Sequence, residues 1–252
     1  MLSLVPAVIG IVATAILAAG AVYARALTPA AGAVATLFGA IIVVFIGFPY
    51  LALLILFVAA SSLATRYRFE EKRQQKLQEG ASGERGVSNV LAHILLPTAI
   101  AIPGGLNPPL LPPATVSIIF TAALAFGASD TFASEFGVLA GKARSILTFR
   151  EVPPGTNGGI SALGQAFAFA GAALTGVIGA GLLDLFGDPP LDSPIFLVIV
   201  VVAGFLACQI DSVLGETLEN RGYLTKGSTN FFGMLSAVAI GVGLLAATGG
   251  PL

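Results

Sequence analysis

Apolar residues in this chain form long unbroken runs, separated by short segments rich in Gly, Pro, Asn and charge. No Asp, Glu, Lys or Arg occurs at positions 26–65, 86–129, 152–183, 193–210 or 227–252. A helix crossing a hydrocarbon core of ~30 Å needs about 20 predominantly apolar residues. Dividing the runs at their turn residues places spans near 3–23, 29–47, 49–65, 88–103, 112–129, 160–182, 193–210 and 229–248. The pattern therefore predicts an all-α membrane protein of about eight transmembrane helices. It reads as one integral domain over 1–252: three N-terminal spans in 1–65, a basic loop at 66–87, and five spans in 88–252.

Composition narrows the function classes. The chain is 56% hydrophobic and 10% charged, against about 25% charged in soluble domains. A net charge of −1 with no basic stripe argues against nucleic acid as a partner. The lone Cys208 lies in an apolar run, so neither a disulfide framework nor a thiolate metal site is available. The single histidine, His93, cannot build a histidine cluster and reads as a helix-facing polar residue. The first apolar run continues to Val22 with no basic segment before it. That is too long for a signal-peptide core, and the first span is expected to be retained.

Basic residues orient the chain. The loop at 66–85 carries Arg66, Arg68, Lys72, Arg73, Lys76 and Arg85; that at 131–158 carries Lys142, Arg144 and Arg150; that at 212–228 carries Arg221 and Lys226. The loops at 104–111 and 187–192 carry none. Positive residues favour the cytoplasmic side, so eight spans put all twelve bases, Arg25 included, on that face and both termini opposite. The plasma membrane of a prokaryote is the expected location. Asp184, Asp188 and Asp192 then read as solvated residues of the outer face.

The fifth and seventh spans resemble copies of one unit. PPLLPP precedes one and PPLDSP the other; Pro108 precedes Asp130 by 22 residues, and Pro189 precedes Asp211 by the same 22. Each ends in D-[ST]-x-x-[SG]-E, as DTFASE and DSVLGE. Both copies run from outside to inside, which predicts a parallel internal repeat.

The fourth, sixth and eighth spans are entered through small polar residues: GVSN at 86–89, GTNGGIS at 155–161 and GSTN at 227–230. Such residues cap helix N-termini. Three N-termini on one face, beside basic loops, also suit a polyphosphate, because each offers free N–H groups and partial positive charge. Asp130, Glu135, Asp211 and Glu216 lie at the opposite kind of helix end, where the dipole disfavours an anion. No base occurs within either acidic motif, which makes a divalent cation the expected partner. Magnesium takes one or two carboxylates plus substrate phosphates. Residues five apart on a helix sit about 140° from each other, so Asp130 and Asp211 are expected to share the metal. Glu135 and Glu216 are expected to complete the site or to hold basic residues. The segment EVPPGTNGG at 151–159 has prolines to fix its path and glycines that permit close approach of a ligand. It lacks the lysine of a Walker A loop, and Arg150 lies upstream of it instead.

ASDTFASEFG, VPPGTNGGIS and DSVLGETLENRG, with GERGVSNVLAH and the later Thr229–Asn230 pair, resemble the multispanning family that includes phytyl-phosphate kinases and animal transmembrane protein 19. The resemblance runs in order over about 72–232. It implies an isoprenoid monophosphate kinase: a prenyl or phytyl monophosphate accepts a phosphoryl group from a nucleoside triphosphate. A more distant likeness to CTP-dependent polyprenol kinases and CDP-lipid synthases implies Mg²⁺ and either CTP or ATP.

On that reading, Asp130, Glu135, Asp211 and Glu216 form the metal set. Gly155, Thr156, Asn157, Gly158, Gly159, Ser161, Arg85, Asn89 and Asn230 meet the nucleotide phosphates, and Lys142, Arg144 or Arg150 offsets charge that develops during transfer. Two departures from the family pattern stand out: Glu216 replaces an Ala common in relatives, and His93 replaces Asn. A CTP-dependent CDP-lipid cytidylyltransferase would use the same site with attack at the α-phosphorus. A secondary transporter is the alternative from another class, although such proteins bind near the midplane and these residues fall at the inner edge. A structural membrane subunit leaves the carboxylates and GTNGG unexplained. The expected partners are the lipid monophosphate and membrane lipids, with homo-oligomerisation left open.

Overall fold

The structure is a computed structural model that describes residues 4–78, 80, 83–187 and 193–252. The apolar runs fold as α1 (Leu4–Tyr23), α2 (Pro29–Ile46), α3 (Phe48–Arg66), α5 (Val87–Gly104), α6 (Pro113–Gly137), α7 (Ala162–Leu185), α8 (Ser193–Leu214) and α9 (Lys226–Ala247). A short α4 (Phe69–Gln74) lies in the basic loop. Among the described residues, α2, α3 and α5 to α9 are long and apolar enough to cross a membrane, while α1 contributes a shorter apolar stretch, Ala7–Tyr23. Among the described residues, these seven helices together with α1, 20 residues long, correspond to the eight apolar runs of the sequence. Local signals start them where they start. Pro29 and Pro113 occupy the first helical positions of α2 and α6, where a missing N–H costs nothing, and Thr28 accepts a bond from the Ala31 N–H.

Helix α6 is the centre of the bundle, and α3, α5, α7, α8 and α9 all pack on it. Phe120, Leu124, Ala125 and Phe126 on it are fully buried. Small residues let the backbones approach, as is usual between helices in lipid. A Cβ on Gly171 of α7 would stand 2.7 Å from the Ala128 carbonyl oxygen, and one on Gly204 of α8 would stand 2.8 Å from the Ala125 Cβ. At the first of these crossings Ser129 Oγ donates to the Ala168 carbonyl at 2.6 Å.

Two elements depart from the expected spans. Helices α6 and α8 run beyond residues 129 and 210, so Asp130, Glu135 and Asp211 lie within helices rather than after them. DTFASE contains no helix breaker, and α6 continues through it to Gly137, whereas DSVLGE contains Gly215, immediately before which α8 ends. Helix α8 ends in one wider, π-type turn at Gly215–Glu219. Within this otherwise helical protein, the segment between α6 and α7 forms a small antiparallel sheet: β1 (Ala143–Ser145), β2 (Glu151–Val152) and β3 (Gly159–Ile160), in the order β2-β1-β3. Arg144 pairs with both Glu151 and Ile160.

The basic loops gather at one end of the bundle. The Arg85 N–H donates to the Ala26 carbonyl at 2.9 Å, the Arg66 guanidinium donates to the Ala24 carbonyl, and Lys72 reaches Glu135. At the opposite end Phe48 packs against Phe186 and Thr115 Oγ1 donates to the Pro251 carbonyl. Pro189 and Asp192 lie outside the described residues, as does Asp188.

Candidate functional site

At the basic end the helix termini and the small sheet enclose a polar cleft of about 350 Å³. Asp130 from α6 and Asp211 from α8 both line it, as do Glu135 and Glu219 and the bases Lys76, Arg85 and Lys226 from three other segments. Asp211 Oδ1 is buried and has no hydrogen-bond partner among the described residues. A buried carboxylate oxygen left so costs desolvation that something must repay. The gap between α8 and α9 is narrow here, for a Cβ on Gly233 would stand 2.9 Å from that same oxygen.

The other two carboxylates are turned to different work. Glu135 Oε1 accepts from Thr65 Oγ1 at 2.6 Å, and Oε2 lies 2.6 Å from the Lys72 ammonium. Lys72 also donates to the Thr65 and Ala64 carbonyls at 2.7 and 3.2 Å. This pair ties α4 and the C-terminus of α3 to α6. Glu216 Oε1 accepts from Ser145 Oγ at 2.6 Å, and its Oε2 from the Leu147 N–H at 3.4 Å, clasping the sheet to α8. Of the two alternatives expected for these glutamates, Glu135 holds a basic residue, whereas Glu216 holds the sheet, and Asp130 and Asp211 are left as the aspartates of the cleft. Among the described residues no three His, Cys, Asp or Glu side chains converge to hold a metal by protein groups alone. The chemistry of the donor set suits a hard divalent cation such as magnesium, which keeps few protein ligands, since Asp130 and Asp211 line one cleft and Asp211 Oδ1 is unengaged.

The GTNGG segment lines the cleft at Gly155, Thr156, Asn157, Gly158 and Gly159, but as the turn of a sheet and not only as a helix entrance. Gly155 and Gly158 adopt φ of +81° and +76°, conformations open to glycine at no steric cost. A Cβ on Gly158 would stand 2.4 Å from the Glu216 Cβ, so its bareness admits the turn that ends α8. Thr156 Oγ1 donates to the Pro153 carbonyl at 2.7 Å, and the Asn157 amide to Glu219 Oε1 at 3.0 Å. Ser161 caps α7 by accepting from the Gly164 N–H at 3.0 Å. Of the three helix entrances, α7 and α9 have side-chain caps, at Ser161 and Thr225, whereas the α5 cap residue is Gly86 and makes none.

Lys142, Arg144 and Arg150, expected to offset developing charge, are exposed and line no part of the cleft. Strand geometry gives the reason. Side chains alternate faces along β1, and the buried positions go to Ala143 and Ser145, turning Arg144 outward. Lys76 and Lys226 line the cleft in their place, and neither carried a motif. Arg85, Asn89 and Asn230 are at the cleft as expected, joined by His93. Arg85 Nη1 donates to Asn89 Oδ1 at 2.9 Å, and His93 Nδ1 lies 2.9 Å from the Asn89 carbonyl oxygen. The signal for His93 was present in its spacing from Asn89, since residues four apart on α5 share a helix face.

Comparison with known proteins places these features in a family. Over 211 residues the chain is 35% identical to the uncharacterized membrane protein MJ0933 of Methanocaldococcus jannaschii, covering 82% of this chain and 81% of the relative. It is 32% identical over 200 residues to the uncharacterized membrane protein sll0875 of Synechocystis, covering 77% and 73%. It is 30% identical over 194 residues to Protein PGR of Arabidopsis thaliana, covering 70% and 67%. No solved structure matches. Residues 12–246 match the integral membrane protein family DUF92, and with the span pattern and relatives of this extent the chain belongs to that family.

Proposed function

We propose that this protein is a lipid monophosphate kinase, transferring a phosphoryl group from CTP or ATP to an isoprenoid monophosphate at the cytoplasmic membrane face. The observation that carries the proposal is the polar cleft whose lining brings together Asp130 and Asp211 with Lys76, Arg85 and Lys226. The likeness of the motifs to phytyl-phosphate kinases and transmembrane protein 19 supplies the reaction class. A parallel repeat of α6 and α8 accounts for the arrival of two aspartates at one cleft.

A phosphate oxygen of the lipid attacks the γ-phosphorus of the nucleotide, the bond from that phosphorus to the β–γ bridging oxygen breaks, and the nucleoside diphosphate leaves with the electron pair. Transfer of this kind asks for positioning and charge neutralisation more than for covalent help. The acceptor is already an anion, so no dedicated base is required. Mg²⁺, held by Asp130 and Asp211, would neutralise charge on the nucleotide phosphates. Lys76 and Lys226 draw the triphosphate in, and Arg85, which donates to Asn89, lines the same cleft.

Product analysis tests the reading. Purified protein is given radiolabelled nucleotides with prenyl monophosphates of several lengths and Mg²⁺. A lipid diphosphate with a nucleoside diphosphate is the expected outcome. Pyrophosphate with a CDP-lipid would assign a cytidylyltransferase instead, and no turnover with any pair would remove the kinase reading.

A further inference from the structure

A second cavity adjoins the first. Its volume is about 410 Å³, it lies among α1, α2, α3 and α5, and its lining is almost wholly apolar. The two cavities share one wall, made by Arg85, Asn89 and His93. The charged side chains of the apolar cavity are Arg66 and Arg85, both basic. The space is lined by small residues: Gly20 and Ala21 on α1, Ala24 just beyond its end, and Ala59 and Ser62 on α3, where larger side chains would close the gap. A Cβ on Gly20 would meet nothing within 4 Å. Along α3 the lining runs from Leu51 to Arg66, about 22 Å at 1.5 Å per residue, deeper than one leaflet of a ~30 Å core. Leu17 and Leu63, 42% and 70% exposed, flank the mouth between α1 and α3.

We propose that this cavity holds the hydrocarbon chain of the lipid acceptor, which enters from the bilayer between α1 and α3 and presents its phosphate at the Arg85–Asn89–His93 wall. The inference rests on the lipid-kinase reading for the identity of the head group. An apolar cavity whose charged residues, Arg66 and Arg85, are both basic and that shares the Arg85–Asn89–His93 wall with the polar cleft fits an amphiphile with one anionic end. It also gives work to the three N-terminal helices, which carry no motif. A chain held there points its phosphate toward Asp130 and Asp211 with no need to leave the membrane.

The test is photolabelling of the full-length protein in nanodiscs, without nucleotide, by a long-chain alkyl monophosphate bearing a diazirine near its tail. Label is expected on α1 and α3 between Leu17 and Leu63, displaced by unlabelled long-chain alkyl monophosphate and not by the corresponding alcohol. Gly20→Phe and Ala59→Phe, which fill the cavity, are expected to cut labelling at least tenfold, and Leu37→Phe on the outer surface of α2 is not. In turnover assays both filling variants should lose long-chain acceptors at least tenfold more than short-chain ones. Label spread evenly over the lipid-facing helices, or displaced equally by the alcohol, would overturn the proposal; the wild-type result decides this even if a variant misfolds. Labelled α1 and α3 in a protein inactive with every triphosphate would retire the kinase and leave the chain site standing. Turnover with those helices unlabelled would retire the chain site alone.

Discussion

The Lys72 ammonium lies 2.6 Å from Glu135 Oε2 with both side chains almost wholly buried, a pairing 63 residues apart in the chain. Removing one partner of such a pair leaves a buried charge without compensation and costs about 3–5 kcal/mol. Lys72→Met is therefore expected to lower the melting temperature of the purified protein markedly. Lys72→Met with Glu135→Gln should recover at least half of the loss, since a neutral amide can still accept from Thr65. Equal melting of the single variant and the parent would show that the clasp contributes nothing.

Asp130→Asn and Asp211→Asn keep side-chain shape and remove charge. Removing one electrostatic contributor typically costs about 10²- to 10³-fold in rate. Each variant should lose transfer by that order while keeping its elution profile and melting temperature. Asp184→Asn, exposed at the other end of the bundle, is the control. Near-normal Mg²⁺-dependent transfer in both aspartate variants would make the pair structural.

Cleft-lining and outward bases should separate in nucleotide affinity. A hydrogen bond to a charged group contributes about 1.5–3 kcal/mol, which corresponds to roughly 10- to 100-fold in affinity. Lys76→Gln and Lys226→Gln are expected to weaken nucleotide binding within that range. Lys142→Gln and Arg150→Gln should change it less than twofold. Calorimetric titration in detergent measures all four, and the reverse ranking would contradict the cleft assignment.

Gly158 tests what the bare backbone at that turn accommodates. A left-handed conformation costs a non-glycine residue about 1–2 kcal/mol, and a Val side chain would also collide with Glu216. Gly158→Val should undock the sheet from α8 and speed protease cleavage within residues 143–160. Glu216→Ala, which removes the bond to Ser145, should do the same. A protease-resistant Gly158→Val variant with reduced nucleotide affinity would assign the position to phosphate approach instead.

Sidedness is open to labelling in intact cells, on a background carrying Cys208→Ala. Lys142→Cys and Asp184→Cys sit at opposite ends of the bundle and should react from opposite sides of the membrane. Labelling of both from outside would exclude the orientation drawn from the basic loops.

The helices were legible in the sequence because, in lipid, a spanning segment must satisfy its backbone internally and stay apolar for its full length; that requirement is local, and composition alone reveals it. The aspartate pair was legible for a related reason, since an acid at the end of an apolar run is costly unless it serves a function. The allotment of side chains among partners was not. Glu135 and Glu216 end the same two motifs that Asp130 and Asp211 begin, yet their oxygens belong to Lys72 and Ser145, groups that only packing brings near. Arg144 carries the right charge in the right loop, but the alternation of β1 turns it outward while Lys76 and Lys226 arrive from distant segments. The apolar cavity is likewise tertiary: Gly20 and Ala59 are unremarkable small residues in separate runs until α1 and α3 meet across them. Local chemistry settles which segments enter the membrane. Which charges meet, and where space remains, depends on contacts between segments far apart in the chain.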